Sequence, residues 1–355
     1  MRKIKYFQAI KEAQTQLLQK DKSVMIMGLG VNDPKGIFGT TKDLSKIFGN
    51  KRILETPTSE NAVTGVAIGA AIQGLRPILT HQRVEFSLLS IEQIINQAAK
   101  WYFMSAGEFN TPLVIRLIIG KGWGQGPQHS QSLETLFSHV PGLKVVAPSS
   151  AYDAKGLLVS SVRDNGPVIF FEHRWLHNIN GKVPKKLYSI PIGKGKVVQK
   201  GKDITIVSFS EALIQVLRLK NILKKCGISA EIIDLRSLRP LDKNCIFRSV
   251  KKTKKLLVVD NGWKSYGISA EIVSLVAEKL LGNLKEKPIR LGIKEVPIPS
   301  TRALAKECYL NSDSILSAIS KLTKTKIKNN IKNKYLKPLS LKESDIPYKD
   351  FTGPF

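Results

Sequence analysis

Short, continuously apolar runs alternate with longer amphipathic segments along most of this chain, and the alternation limits its possible folds. The clearest run is Pro112–Gly120, in which branched aliphatic residues surround a single arginine. Such runs are typical of strands buried on both faces of a parallel sheet, because connecting helices cover each face. Similar runs at Ser23–Gly30 and Val168–Glu172, with a helical pattern over Ala151–Arg163, continue the alternation. We therefore predict an α/β fold of doubly wound parallel sheets.

The alternation occurs twice, which predicts two α/β domains. The first occupies residues 1–175 and the second residues 203–323. Residues 176–202 are polar, rich in Gly, Pro and Lys, and lack clear periodicity, so they are predicted to be a linker. The length of 355 residues agrees with two domains rather than one ordinary core. The Lys- and Asn-rich tail over residues 324–355 is predicted to be disordered, with docking of its aromatic end on a partner as the alternative.

Two further segments have patterns that predict local structure. The isoleucines and alanines of Ser87–Ser105 lie on one helical face, which predicts one long helix. The charge density of Asp234–Asp242 suggests a functional segment. The preferred alternative is a strand end followed by a solvated turn with internal ion pairs.

The net charge of +28 is high, but its distribution argues against a nucleic-acid partner. Most basic residues are scattered lysines, and no aromatic residues interleave with a basic stripe as in RNA-binding sheets. Three widely spaced cysteines form neither a disulfide framework nor a metal knuckle, which favours a reducing cytoplasm. No apolar stretch is long enough to cross a bilayer, and no signal-peptide core follows the basic first residues. We expect a soluble cytoplasmic protein that binds neither nucleic acid nor membrane.

The segment Glu55–Ala71 is the candidate centre of the chemistry. Thr58 and Ser59 favour helix N-caps, so a helix is predicted to begin there. Glu60 is the one carboxylate at the start of an otherwise uncharged helix of small residues, which would let a flat ligand or a second backbone approach. Two interpretations remain open. The helix dipole alone accounts for the carboxylate, or apolar flanks raise its pKa so that it donates a proton.

Polar residues also follow other predicted strands. The glycine-rich loop Gly120–Gly126 leads to His129, and His81 and Arg83 follow the strand Arg76–Thr80. The C-terminal edge of parallel strands is where α/β sheets bind ligands, so these residues and Glu60 form a plausible site. The loop matches neither the P-loop nor the dinucleotide fingerprint. Taken alone, His129 is either a hydrogen-bonded surface residue or a catalyst. No G-x-S-x-G elbow, H-E-x-x-H pair or Cys/His cluster occurs.

Taken together and in order, these residues make the chain similar to the β subunits of two-component 2-oxo acid dehydrogenases (pyruvate and branched-chain E1β). These subunits belong to the transketolase-like superfamily that depends on thiamine diphosphate. The similarity extends from about Lys3 to about Leu322. It is carried by Glu55-Thr-Pro-x-x-Glu60, Gly65-x-Ala-x-Gly-Ala-Ala, Gly74-Leu-Arg-Pro, Phe86, Ile95-Asn-x-Ala-Ala-Lys100, Gln128-His-Ser-Gln131, Pro141-Gly-Leu-Lys-Val-Val, Asp153-Ala-Lys-Gly, Arg163-Asp-Asn, Asp234-Leu-Arg-x-Leu-Arg-Pro and Gly267-x-x-Ala-Glu-Ile. The resemblance implies a pyrimidine-binding fold for the first domain and a transketolase C-terminal-like fold for the second.

The resemblance also implies roles for single residues. Glu60 matches the glutamate that hydrogen-bonds N1′ of the cofactor's aminopyrimidine, a role that needs a carboxyl of raised pKa. Phe86 matches the aromatic residue that stacks on that ring, and Thr58 and Ser59 stand beside Glu60 in the cofactor-binding set. His129 matches a histidine that acts on the substrate or in acyl transfer. The reaction implied is decarboxylation of a 2-oxo acid, with the cofactor as electron sink.

Two parts of the chain depart from the family and flank the implied substrate pocket. One is Thr80–Glu85, which contains His81, Gln82 and Arg83, and the other is the loop Gly120–Gln128. The identity of the 2-oxo acid is therefore left open. The resemblance further implies a potassium site made mainly of backbone oxygens, at Leu113, Ser161, Asp164 and Gly166.

The chain carries half of the expected cofactor site. The Gly-Asp-Gly…Asn-Asn motif that binds Mg²⁺ and the diphosphate is missing, so the resemblance implies an α-type E1 partner that supplies it, in an α2β2 heterotetramer. Acyl transfer to lipoamide on a lipoyl acyltransferase (E2) is implied too, although a strongly basic chain suits the basic docking domain of E2 poorly. The alternatives are a split transketolase-like carboligase or decarboxylase with a non-lipoyl acceptor, and a non-catalytic scaffold that keeps only the fold.

Overall fold

The computed structural model describes residues 1–336, which form two α/β domains. The strands of the described residues are β1 (Arg2–Lys5), β2 (Val24–Gly28), β3 (Ile53–Glu55), β4 (Arg76–His81), β5 (Val114–Ile119), β6 (Lys144–Val146), β7 (Val168–His173), β8 (Asn180–Val183), β9 (Lys196–Gln199), β10 (Ile204–Ser208), β11 (Ala230–Asp234), β12 (Ser237–Arg239), β13 (Leu256–Trp263) and β14 (Ile289–Ile293).

The α-helices are α1 (Tyr6–Lys20), α2 (Leu44–Phe48), α3 (Glu60–Ile72), α4 (Trp101–Met104), α5 (Glu134–Ser138), α6 (Ala151–Arg163), α7 (Ser210–Arg218), α8 (Lys220–Lys225), α9 (Lys243–Thr253), α10 (Ile268–Leu280), α11 (Arg302–Ala305), α12 (Ser312–Thr323) and α13 (Asn329–Tyr335). Short 3₁₀ turns cover Val84–Ser90, Arg174–Leu176 and Leu281–Asn283, and a π-helical stretch covers Gln93–Ala98.

The first domain is built on a seven-stranded sheet in the order β12-β6-β7-β5-β4-β2-β3. All neighbours in it are parallel except β12, which pairs antiparallel with β6 at one edge. Every residue of β5 is buried, because α1 and α6 cover one face of the sheet and α3 covers the other. The predicted buried strand over Pro112–Gly120 is thus a central strand.

The second domain has a five-stranded sheet in the order β14-β13-β10-β11-β9, parallel except for the edge strand β9. Helices α7, α8 and α12 pack on one face. On the other face, α9 and α10 join a core cluster that continues into the first domain, where Phe137 and Phe171 pack edge to face with ring centroids 5.8 Å apart. One of the apolar core clusters therefore extends across both domains.

The predicted linker over residues 176–202 is too long. Within it, β8 pairs antiparallel with β1 in the first domain, and β9 pairs antiparallel with β11 in the second. Both are four-residue edge strands, which are too short to give a clear alternation of apolar and polar residues. A turn segment between the two strands is what connects the domains.

The prediction of one long helix over Ser87–Ser105 is wrong. The segment begins in the last residues of a 3₁₀ turn, continues as the π-helical stretch and then forms the short helix α4. The apolar spacing does indicate a helical segment, since Ile94 and Ala98 are buried. Periodicity does not distinguish α from 3₁₀ or π winding.

The solvated turn predicted within Asp234–Asp242 is also wrong. Asp234, Ser237 and Leu238 are buried, and β12 extends the first domain's sheet from within the second domain's chain. Arg236 pairs with Asp153 of α6 at 3.1 Å, so the ion pair crosses between domains rather than staying inside a turn. The strand pairing and the ion pair of this segment therefore connect the two domains.

The described part of the predicted disordered tail contains α13. Ile331 within this helix and Leu336 directly after it pack against the core of the second domain. The aromatic end of that tail lies outside the described residues. Among residues 1–336, no helix is long and apolar enough to span a membrane.

Candidate active site

A concave pocket opens at the C-terminal ends of β2, β3 and β4. Parallel sheets commonly bind ligands at this edge, since loops diverge there around the strand ends. Glu60, Phe86, His81 and Gln82 line this pocket, as does Thr56, which the sequence analysis did not single out. The pocket thus brings together predicted site residues that lie up to 26 positions apart in the sequence.

Glu60 begins α3, at the point where the sequence predicted a helix start. Its side chain is half-buried and has no hydrogen-bond partner within residues 1–336. Glu55 has a different task, because its carboxylate accepts hydrogen bonds from the backbone N–H groups of Gly30 (2.5 Å) and Asn32 (2.9 Å) and so fixes the loop after β2. Of these two carboxylates, Glu60 is the one that faces the pocket and is available to a ligand.

Thr58 and Ser59 are exposed and do not line the pocket. Ser59 stands at the N-cap position of α3, but its side chain makes no capping hydrogen bond. Thr56 is buried in the pocket wall instead. The cofactor-binding role of Thr58 and Ser59 stays a prediction.

Phe86 joins the pocket to His129. The two rings pack edge to face with centroids 5.6 Å apart and an interplanar angle of 65°. His129 Nδ1 also lies 3.9 Å from a carboxylate oxygen of Glu85, whose other oxygen accepts a hydrogen bond from the backbone N–H of Gln131 at 3.1 Å. Burial raises the pKa of Glu85, against the lowering effect of that hydrogen bond and of His129 and Arg83. The carboxylate of Glu85 therefore lies beside His129 without a hydrogen bond to it, and nothing in its sequence context indicated this.

His81, Gln82 and Arg83 are separated by the structure. Burial lowers the pKa of His81 to about 4, so at pH 7 it is a neutral hydrogen-bonding group, and its Nε2 has no partner in the described chain. Gln82 donates to the backbone oxygen of Leu29 at 2.8 Å. Arg83 is buried but lies outside the pocket lining, with its guanidinium over the ring of Phe38.

A buried ion pair is hydrogen-bonded to the wall of the pocket. Arg116, the single charge of β5, contacts Glu172 of β7 through two hydrogen bonds of 2.5 and 3.0 Å. Its remaining donors reach Thr80 of the pocket wall (3.3 Å) and Thr40 (3.0 Å). His177 Nε2 lies 3.4 Å from the same carboxylate. This network fixes the ends of neighbouring strands from which the site is built.

Of the residues predicted to hold potassium, Asp164 contacts cationic side chains, and Leu113 and Ser161 make hydrogen bonds within the chain. The backbone oxygen of Leu113 accepts from Val168 N at 2.9 Å. The backbone oxygen of Asp164 accepts from Arg76 at 3.0 Å, and its carboxylate accepts from Lys144 at 2.5 Å. Ser161 donates to Leu157 O within α6. These oxygens are a poor fit for a further cation, and the potassium ion, with Gly166 among its predicted ligands, stays a prediction on which nothing below depends.

The pocket fits one end of a heteroaromatic cofactor. An unpartnered carboxylate at Glu60, an aromatic side chain at Phe86 and a neutral imidazole at His81 suit a flat ring that carries both nitrogen donors and acceptors. Residues 1–336 contain no group of three or more His, Cys, Asp or Glu that would hold a metal ion. The arrangement can therefore bind a ring and move a proton at it.

Comparison with known proteins finds a matching family for each of the two domains. Residues 2–178 match the family described as transketolase, pyrimidine binding domain, and residues 193–315 match transketolase, C-terminal domain. A solved split gene transketolase, an inactive beta4 tetramer, superposes with a TM-score of 0.76 at 20% identity, covering 91% of this chain and 99% of that one. At this identity the likeness concerns the fold, and it confirms the predicted fold class.

Two relatives are similar over nearly the whole chain. One is the pyruvate dehydrogenase E1 component subunit beta of Porphyra purpurea, 42% identical over 319 residues, or 90% of this chain and 96% of that protein. The other is the acetoin:2,6-dichlorophenolindophenol oxidoreductase subunit beta of Cupriavidus necator, 40% identical over 332 residues, or 91% of this chain and 98% of that protein.

Proposed function

This chain belongs to the transketolase-like family of E1 β subunits, and from that premise we propose that it is the β-type subunit of a thiamine-diphosphate-dependent 2-oxo acid dehydrogenase. Pyruvate is the proposed substrate, because relatives named pyruvate dehydrogenase E1 component subunit beta are 40–42% identical over 90% of the chain. The observation that carries the proposal is the unpartnered Glu60 carboxylate facing a pocket that Phe86 lines and His129 adjoins.

The residues divide the chemistry among them. When bound, thiamine diphosphate supplies an electron sink for the loss of CO2. Glu60 would share a proton with the ring nitrogen N1′, and Phe86 would hold the ring by stacking. His129, which packs against Phe86 and lies beside Glu85, would hold or move a proton at the substrate oxygen. In the overall reaction the acyl group passes to one lipoamide sulfur, the S–S bond breaks, and the second sulfur is reduced to a thiol.

An α-type partner completes the proposed enzyme. The partner would bring Mg²⁺ and the diphosphate half of the site, in an α2β2 assembly, since no acidic metal cluster exists within residues 1–336. The outward face of α3 suits a close approach, because a Cβ added at Gly69 would meet no atom within 4 Å and one at Gly65 only the side chain of Gln93 at 4.0 Å. A lipoyl acyltransferase is the proposed acceptor, and the cytoplasm is the proposed compartment, in agreement with the free cysteines of the described chain.

A second candidate is a related reaction with a non-lipoyl acceptor. The Cupriavidus necator relative is named for acetoin and a dye acceptor, and its identity to this chain is nearly that of the pyruvate dehydrogenase subunits. Overall similarity therefore does not separate a dehydrogenase from a carboligase or an acetoin-cleaving enzyme. We place the difference in the substrate pocket beside His81, which lines it.

Co-expression with an α-type protein that carries the Gly-Asp-Gly…Asn-Asn motif tests the proposal. The purified complex, with thiamine diphosphate and Mg²⁺, is offered pyruvate, branched-chain 2-oxo acids or acetoin, with lipoamide or the dye as acceptor. We expect CO2 release from a 2-oxo acid together with lipoamide acylation. Turnover of acetoin alone, or a folded complex that releases no CO2 from any 2-oxo acid, would contradict it.

A further inference from the structure

The His129 loop, which connects β5 to α5 in the first domain, lies against the second domain. At its start, Lys121 forms an ion pair of 2.9 Å with Glu211 of α7, and both residues are buried. Further along, the loop backbone approaches the segment between β14 and α11, because a Cβ added at Gly126 would overlap the hydroxyl of Ser300. The first domain therefore supplies the histidine, while the second domain contacts the loop that carries it.

Tyr309 of the second domain makes a direct hydrogen bond to this loop. It lies between α11 and α12, and its hydroxyl oxygen accepts a hydrogen bond from the backbone N–H of Gly122 at 3.1 Å. Its ring packs edge to face against Trp175, with centroids 6.4 Å apart, and the ammonium of Lys121 lies 5.2 Å from its centroid. These ring contacts hold the phenol in place, so its hydroxyl stays at the loop backbone.

Hydrogen bonds continue from Gly122 to His129. The backbone oxygen of Gly122 accepts from the backbone N–H of Gln125 at 3.2 Å. With its side-chain amide oriented to satisfy both ends, Gln125 donates to the backbone oxygen of His129 at 2.9 Å and accepts from Arg83. Three hydrogen bonds in series therefore join the hydroxyl of Tyr309 to the backbone that carries the histidine ring.

The backbone of the loop needs such contacts to keep one conformation. Gly122, Gly124 and Gly126 have φ values of 84°, 69° and 68°, in the left-handed region that glycine adopts freely. Trp123, with a φ of 55°, adopts this region at an energetic cost. A segment so rich in glycine loses much conformational freedom when it is fixed, so the contacts with the second domain decide where the histidine lies.

We propose that Tyr309 is a positioning residue for His129. Its hydroxyl holds the backbone at Gly122, and Gln125 connects that backbone to His129, beside the pocket that Phe86 lines. This role rests on the proposed function, because it takes His129 to hold or move a proton at the substrate. It gives the second domain a part in chemistry that residues of the first domain carry out.

Amide hydrogen exchange of the full chain without cofactor tests the contact separately from turnover. In the unsubstituted chain we expect slow exchange over residues 120–132, because the N–H groups of Gly122 and Gln125 are hydrogen-bonded. Tyr309→Phe keeps the ring and removes the hydroxyl, so it should speed exchange of this loop roughly 2- to 12-fold, as expected for one hydrogen bond. Tyr335→Phe removes a hydroxyl from an exposed position of α13 and should leave the loop unchanged.

Turnover by the complex with its α-type partner tests whether the contact acts through the histidine. Tyr309→Phe should lower kcat for CO2 release from pyruvate by a similar factor, while the KM for pyruvate and the affinity for thiamine diphosphate stay unchanged. In a His129→Ala background, Tyr309→Phe should have no further effect on the residual kcat, because the two residues then act as one unit. A role of Tyr309 in stability alone would lower the rate equally in both backgrounds.

Loop exchange that Tyr309→Phe does not change, or an equal loss of kcat with and without His129, would overturn the positioning role of Tyr309. Exchange of the loop in the unsubstituted chain at the rate of an unfolded segment would overturn it too, and this measurement stands if Tyr309→Phe does not fold. A complex that releases no CO2 from any 2-oxo acid would contradict the proposed function. The exchange data would then still show whether Tyr309 holds the loop.

Discussion

The imidazole of His129 packs edge-on against the phenyl ring of Phe86, with ring centroids 5.6 Å apart. Phe86 also lines the pocket that Glu60 faces, so one aromatic side chain contacts both proposed parts of the chemistry. His129 comes from the loop after β5 and Phe86 from the 3₁₀ turn after β4. Two adjacent strand ends thus meet through these two rings.

Replacing Phe86 with leucine should weaken cofactor binding more than it weakens folding. The substitution keeps apolar volume but removes the aromatic face, which is worth about 0.5–1.5 kcal/mol or roughly a 2- to 12-fold loss of affinity. Titration of thiamine diphosphate into the complex with its partner measures this. Phe86→Tyr keeps the ring and serves as control, and unchanged affinity in Phe86→Leu would show that the ring of Phe86 does not meet the cofactor.

Replacing Glu172 with glutamine should destabilise the fold by roughly 3–5 kcal/mol, because Arg116 would be left buried without its counter-charge. Chemical unfolding of the two proteins at pH 7 measures the difference. Glu307→Gln, at an exposed position after α11, provides a comparison with little expected loss. A Glu172→Gln protein as stable as the unsubstituted chain would mean that the pair contributes no net stability.

The same carboxylate predicts a pH dependence. Burial alone would raise the pKa of Glu172, but the charge of Arg116, the nearby His177 and the hydrogen bonds from Arg116 outweigh it and lower the pKa from 4.5 to about 2. Because the folded-state pKa is depressed, this stability is present above pH 4.5 and is lost as pH falls towards 2. Glu172→Gln should therefore show a smaller loss of unfolding free energy between pH 5 and pH 3 than the unsubstituted chain.

Glu134 predicts the opposite dependence. It is 2% exposed at the start of α5, and burial, with a contribution from Asp260, raises its pKa from 4.5 to about 8. A raised folded-state pKa means that its stability is present below pH 4.5 and is lost as pH rises towards 8. Glu134→Gln, which is neutral throughout, should be more stable than the unsubstituted chain at pH 8, by roughly 1–3 kcal/mol. The advantage should shrink at pH 5, and a constant difference from pH 5 to pH 8 would contradict the assignment.

The elements that could be predicted from the sequence are those whose burial leaves a pattern. The central strand within Pro112–Gly120 and the start of α3 at Glu60 agree with the prediction, because a continuous apolar run reports burial directly and Ser59 is a residue type common at the N-cap, although its side chain makes no capping hydrogen bond here. The edge strands β8, β9 and β12 were missed. Their residues form pairs only because distant parts of the chain meet them, so their sequences carry no local signal.

Part of the candidate site could likewise be predicted from the sequence, and part of it could not. Glu60, Phe86, His81 and Gln82 were predicted and line one pocket, while Thr56 was missed. Arg83 and Arg174 each place a guanidinium over the ring of Phe38. This arrangement could not be predicted, because the three residues come from separate parts of the chain. Spacing predicts which residues end strands, but which of them touch depends on the packing of the loops.

Decarboxylation by the Glu60→Gln variant tests the central claim most directly. The complex with its α-type partner, thiamine diphosphate and Mg²⁺ is assayed for CO2 release from a 2-oxo acid, with Glu278→Gln, at an exposed position of α10, as matched control. We predict that Glu60→Gln lowers the rate by at least about 100-fold, as expected for loss of a positioned acid–base group, and that the complex still assembles. Turnover by Glu60→Gln equal to that of the control would contradict the proposed role of Glu60.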